Sequence, residues 1–106
     1  MRVLFDQGTP VPLREFLAQH EVVTAFERGW SNLSNGELLR VAEAEGFEVL
    51  LTADSNLRYQ QDLAGRRIAI VVLSTPSWPR IQRSPMLVVR AVASATPGSF
   101  SEVAIP

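Results

Sequence analysis

The chain has 106 residues, 46% of them apolar and 20% charged, which is enough for one domain with a single core and leaves no room for wholesale disorder. It has no cysteine and one histidine, His20, so disulfide frameworks, thiolate sites and His-based zinc clusters within one chain are excluded. The formal charge of −1 gives no overall attraction to nucleic acid, and all ten basic residues are arginine, none lysine.

Arg2–Phe5 is a short apolar run that ends at Asp6 and reads as a first strand. No signal-peptide stretch or membrane-length apolar run occurs, so a cytoplasmic protein without membrane contact is expected. After Gly8, Thr9 and Pro10 are placed to cap and open a helix, and Leu13, Phe16 and Leu17 at i, i+3 and i+4 give it one apolar face. His20 ends that helix, and Glu21–Phe26 is a second β-rich run. Ser34-Asn35-Gly36-Glu37 has capping-box spacing, and the helix behind it stops at Gly46.

Phe47–Thr52 is apolar almost throughout, as a strand buried on both faces must be. A short helix is expected over Asp54–Leu63, closed by Gly65, followed by the strongly β-forming Ile68–Leu73. Trp78–Ala95 reads as helical but broken by Pro79 and Pro85, with a helix opening at Ser84-Pro85. Phe100–Ile105 is the fifth strand. Strands alternating with helices at this spacing predict an α/β domain spanning residues 1–106, with a parallel sheet, right-handed crossovers and helices on both faces.

In such sheets ligands bind beyond the carboxyl ends of the strands. Only three aspartates occur, and two stand there: Asp6 directly after strand one and Asp54 just after strand three. Ser74 and Thr75 hold the matching place after strand four, Glu37 opens the helix fed by strand two, and Asn56 follows Asp54 by two. Convergent carboxylates repel unless a cation lies between them, and oxygen ligands suit Mg²⁺ or Mn²⁺. Each residue also has a plainer structural use. Asp6 can begin an Asx turn, Asp54 can cap a helix, Glu37 completes the capping box, and Ser74 and Thr75 form turns. Asp62 reads as a solvated helix residue. Trp30, Tyr59 and Trp78 could stack on bases with Arg58 or its neighbours on phosphates, although no basic-aromatic stripe is visible and the same residues serve equally as core edge and solvated surface.

Taken in order, Arg2–Asp6, Ser34–Leu39 and Val49–Leu57, with Ile68–Thr75 and Trp78-Pro79 behind them, resemble the small PIN-like proteins related to VapC toxins. The resemblance covers nearly the whole chain. It implies a five-stranded, mainly parallel sheet of order 3-2-1-4-5, and Asp6, Glu37 and Asp54 as acids that bind Mg²⁺ or Mn²⁺ and cleave RNA. It further implies an antitoxin protein as partner. Two positions depart from the family pattern: Gln7-Gly8 stands where Glu-Asn often follows the first aspartate, and Asn56 stands where a fourth acid is common. Three carboxylates remain, enough for one ion. On this reading Asn56, Ser74 and Thr75 lie behind the ligands, and Trp30, Arg58 and Tyr59 face RNA. A non-catalytic PIN-like module binding protein or RNA is the alternative that the two departures favour. A phosphorylation-switch receiver shares the layout but needs a lysine after strand five, and this chain has none. Met86–Ala93 is apolar enough for either a core helix or a homodimer face.

Overall fold

The computed structural model describes residues 1–57 and 65–106. The expected Asp54–Leu63 helix falls largely outside them. The described elements are β1 (Arg2–Phe5), a 3-10 helix (Val11–Leu17), β2 (Glu21–Thr24), α1 (Asn35–Ala44), β3 (Val49–Thr52), β4 (Ala69–Leu73), α2 (Trp78–Ile81), α3 (Pro85–Ala93) and β5 (Phe100–Val103). The five strands pair in parallel throughout.

Side chains alternate across this sheet with the period of two that a pleated strand imposes. Val3, Phe5, Val49, Leu51, Val71 and Leu73 face one side, where Leu13 and Leu17 of the 3-10 helix, Ile81 of α2 and Val88 and Val92 of α3 cover them. Leu4, Leu50, Ile70 and Val72 face the other, under Leu38, Leu39 and Ala42 of α1. The result is three layers with two apolar cores sharing one sheet. Met86–Ala93 is therefore a core helix along its Val88–Val92 edge, while Met86 itself is exposed.

The strand order is 2-1-3-4-5, in place of the 3-2-1-4-5 that the family resemblance implies. Burial explains the difference. Every residue of β3 is buried, so β3 belongs in the sheet interior, between β1 and β4. β2 carries exposed Glu21 and half-buried Val22 and Val23, a composition suited to an edge.

The crossovers also depart from uniform right-handedness. The β1–β2 and β4–β5 connections pack on the same face, yet they step in opposite directions along the sheet, so they have opposite hands. Leu51, Val71, Leu73 and Val103 need a cover on that face, and among the described elements α2 and α3 provide it beyond the reach of the 3-10 helix. Burial of that apolar surface outweighs the usual preference for one hand.

Local details follow from single residues. Ser34 caps α1 with the reciprocal capping box to Glu37, and Gly46 takes φ +82° just past the helix end. The Val11–Leu17 segment is a 3-10 helix whose cap position is Pro10, not Thr9, because the Thr9 hydroxyl is engaged elsewhere.

Candidate functional site

β1 connects to β2 on one side, and the chain then crosses β1 to place β3 on the other. The carboxyl ends of β1 and β3 are thus the topological switch point of the sheet, where doubly wound domains open a crevice. Register carries two residues into it. Phe5 pairs with Leu51, so the next position along each strand sets Asp6 beside Thr52, and the Asp6 amide still donates to Leu51 O at 3.2 Å.

The Thr52 hydroxyl donates to Asp6 Oδ2 and accepts the Asp54 amide at 3.0 Å, so one buried side chain joins both aspartates. Thr9 Oγ1 lies 2.7 Å from Asp6 Oδ1 and 2.8 Å from Leu51 O, one proton shared between two acceptors. Asp54 is fixed from two directions. Its Oδ1 accepts the Asn56 amide at 2.9 Å, and its Oδ2 accepts Asn35 Nδ2 at 2.9 Å from the first turn of α1. The Asn56–Asp54 bond is a local turn at the position where the sequence offered a helix cap, and the Asx turn offered at Asp6 is met by the Gly8 amide on the Asp6 carboxylate.

Burial raises the Asp6 pKa above its ordinary 3.8. The Thr52 and Thr9 hydroxyls and the Gly8 amide oppose that rise, and the negative charge of Asp54 adds to it. Neither aspartate forms an ion pair among the described residues. A half-buried carboxylate beside a second one, with hydroxyl and amide donors but no described arginine, is an environment that a cation would relieve.

Glu37 stands apart from this pair. Its Oε1 accepts from Ser34 N and from Ser34 Oγ at 2.8 Å, which lowers its pKa, Ser34 being the main cause and Arg40 a minor one. Among the described residues no three acidic or histidine side chains group about a common point. Ser74 and Thr75 serve the chain: Ser74 Oγ accepts the Ile105 amide at 2.8 Å, and Thr75 Oγ1 accepts the Ser77 amide at 3.2 Å. Arg58 and Tyr59 lie outside the described residues.

Beside Asp6 opens a cleft of about 180 Å³, lined by Gln7, Gly8, Trp30, Ser31 and Asn35 with Leu33 and Leu38 behind. Trp30 meets Phe47 edge-on at 6.1 Å, and the Arg28 guanidinium covers the same two rings. A second cavity, of about 250 Å³, lies at the opposite end of the sheet around Phe47, Ile68 and Thr96, remote from the carboxylates.

No protein-family model, curated protein or solved structure matches the chain. Thr9, Thr52 and Asn35 are the site residues that the sequence did not single out. Thr52 carries a usable signal, since a lone hydroxyl closing a wholly apolar strand must find a buried partner.

Proposed function

We propose that the chain is a Mg²⁺- or Mn²⁺-dependent ribonuclease whose ion is held by Asp6 and Asp54 at the β1/β3 switch point. The observation that carries this reading is that the Thr52 hydroxyl, bonded to the Asp6 carboxylate and to the Asp54 backbone amide, ties the two aspartates together at one strand edge without a described cationic side chain beside them. Two carboxylates with room for water and a substrate phosphate match the way Mg²⁺ is bound in phosphate-processing sites. The remaining lone pairs of Asp6 and Asp54, beyond those taken by Thr9, Thr52, Asn35 and Asn56, are the donors this set offers. RNA as substrate, and a place as the toxin of a toxin–antitoxin pair, rest on the resemblance to PIN-like proteins.

When bound, the cation supplies Lewis-acid polarisation of a phosphodiester and acidification of water. The protein supplies the rest. Thr52, Thr9 and the Gly8 amide hold the Asp6 carboxylate against its raised pKa, and Asn35 and Asn56 fix the orientation of Asp54. Hydrolysis by in-line attack of water then leaves a 3′-hydroxyl and a 5′-phosphate, with no part for the 2′-hydroxyl.

A second reading, a non-catalytic module that binds protein or RNA, draws support from Glu37, whose carboxylate is occupied by the α1 cap, and from Gln7 and Asn56 in place of acids. The strand order is shared by unrelated doubly wound domains and assigns no activity by itself.

End-labelled RNA incubated with the purified chain and Mn²⁺ tests the proposal. Cleavage to 5′-phosphate ends, abolished by EDTA and by Asp6→Asn or Asp54→Asn, is the expected result. A 2′,3′-cyclic phosphate, or undiminished cleavage in EDTA, overturns it. Mn²⁺ binding without cleavage of any RNA favours the non-catalytic module.

A further inference from the structure

We infer that the cleft between Asp6 and Trp30 is a pocket for one unpaired nucleobase of a single-stranded RNA, beside the carboxylates. The inference deepens the ribonuclease reading and rests on it for the choice of RNA, although the pocket is testable without metal or phosphate.

Size is the first argument. A cavity of about 150 Å³ is sufficient to hold a benzene ring, so the 180 Å³ here accommodates one heterocycle and not a stacked pair. Its lining is the second. Trp30 gives an aromatic wall, Leu33 and Leu38 give an apolar floor, and Gln7 and Ser31 give polar groups for the heteroatoms of a base. A purely aliphatic ligand would leave those polar groups unmatched, and a bare phosphate would meet no arginine among the residues that line the cleft.

The third argument is an unmet hydrogen bond. Ser31 lines the cleft, and its Oγ, buried in the empty protein, has no hydrogen-bond partner among the described residues, a free-energy cost that rotation of this side chain toward a bound base would relieve. The fourth is preorganisation. Trp30 is held by its edge-on contact with Phe47 and by Arg28, itself 3.5 Å from Glu45 Oε1, so the wall is in place before a ligand arrives. Asp6 lines the same cleft, so a base seated there brings its own sugar-phosphate next to the carboxylates. Selection then falls on unpaired RNA, since a base within a duplex cannot enter.

Nucleosides, which have no phosphate, probe the pocket separately from the ion site. The chain has two tryptophans, and Trp78→Phe leaves Trp30 as the only indole. Adenosine, guanosine, cytidine and uridine are titrated into that variant while Trp30 emission is followed, with ribose 5-phosphate as control. Gly8→Leu blocks the cleft. Gly8 has an ordinary φ, and a Cβ there meets nothing nearer than Asp6 Oδ1 at 3.9 Å, so the backbone accepts a side chain. Circular dichroism and Mn²⁺ calorimetry on the same samples report the fold and the ion site.

Saturable quenching by at least one nucleoside, weakened tenfold or more by Gly8→Leu with the fold retained, is the expected result. Absence of saturable quenching by all four, equal quenching in Gly8→Leu, or equal quenching by ribose 5-phosphate overturns the pocket. Loss of Mn²⁺ binding with nucleoside quenching intact would overturn the ribonuclease reading alone. Mn²⁺ binding without nucleoside quenching would overturn the pocket alone.

Discussion

Thr52 ends β3 and Asp6 directly follows the neighbouring parallel strand β1, and the Thr52 hydroxyl donates its proton to the Asp6 carboxylate. The same oxygen accepts the Asp54 amide, so the geometry of both acids passes through one threonine that is 1% exposed.

Replacing Thr52 by Val keeps shape and burial but removes donor and acceptor together. Asp6 then loses a donor and the Asp54 amide loses its acceptor, a loss of about 1–3 kcal/mol in urea unfolding. Mn²⁺ affinity measured by calorimetry falls as well, and Thr52→Ser, which keeps the hydroxyl, restores most of both.

The Asp6 carboxyl binds its proton more tightly in the folded chain than in the unfolded one. The contribution of this group is therefore most favourable below the ordinary value of 3.8 and is lost as pH rises through the higher folded value. Asp6→Asn is expected to unfold at higher urea than wild type at pH 7, the gap closing as pH falls toward that range. Little or no gap at neutral pH would show that the surrounding hydroxyls fully offset burial.

On the ribonuclease proposal, Mn²⁺ is expected to reverse that order. At a hundredfold excess over its Kd, a ligand bound only by the folded state stabilises it by about 2.7 kcal/mol. Wild type is expected to gain this increment in a thermal melt, and Asp6→Asn and Asp54→Asn none; no gain by wild type would overturn the ion site.

Glu37 separates helix capping from ion binding. Its folded pKa lies below the ordinary 4.5, so its stabilising contribution is present above that value and is lost as pH falls through the folded one. Glu37→Gln keeps a capping-box partner and is expected to leave Mn²⁺ affinity unchanged, while Ser34→Ala lowers stability by about 1 kcal/mol. A tenfold loss of Mn²⁺ affinity in Glu37→Gln would return Glu37 to the ion's ligands.

The turn from α3 into β5 depends on Gly98. It adopts φ +74°, and a Cβ there would lie 2.9 Å from the Arg66 carbonyl oxygen. Gly98→Ala is expected to destabilise by more than about 1 kcal/mol, since strain and close contact add, with Mn²⁺ affinity unaffected.

The sequence by itself determined the local structure. Continuous apolar, β-forming runs separated by helical periodicity specify buried parallel strands with helices between them, and Ser34-x-x-Glu37 followed by Gly46 bounds α1 because capping chemistry acts within one turn of chain. It also placed Asp6 and Asp54 at strand ends, since a charged residue stops an apolar strand where the core stops. Tertiary structure decided what those residues meet. Whether β3 or β4 takes the place beside β1 opposite β2 depends on which strand fills the sheet interior, a competition among distant segments that strand composition biases but neighbouring residues cannot settle. The Phe5–Leu51 register then set Asp6 against Thr52, 46 residues away, and turned the Thr9 hydroxyl to Asp6 instead of to a helix end. Glu37, at equally suggestive spacing, stayed with its local Ser34 partner, because a hydrogen bond three residues away is formed with little loss of chain entropy.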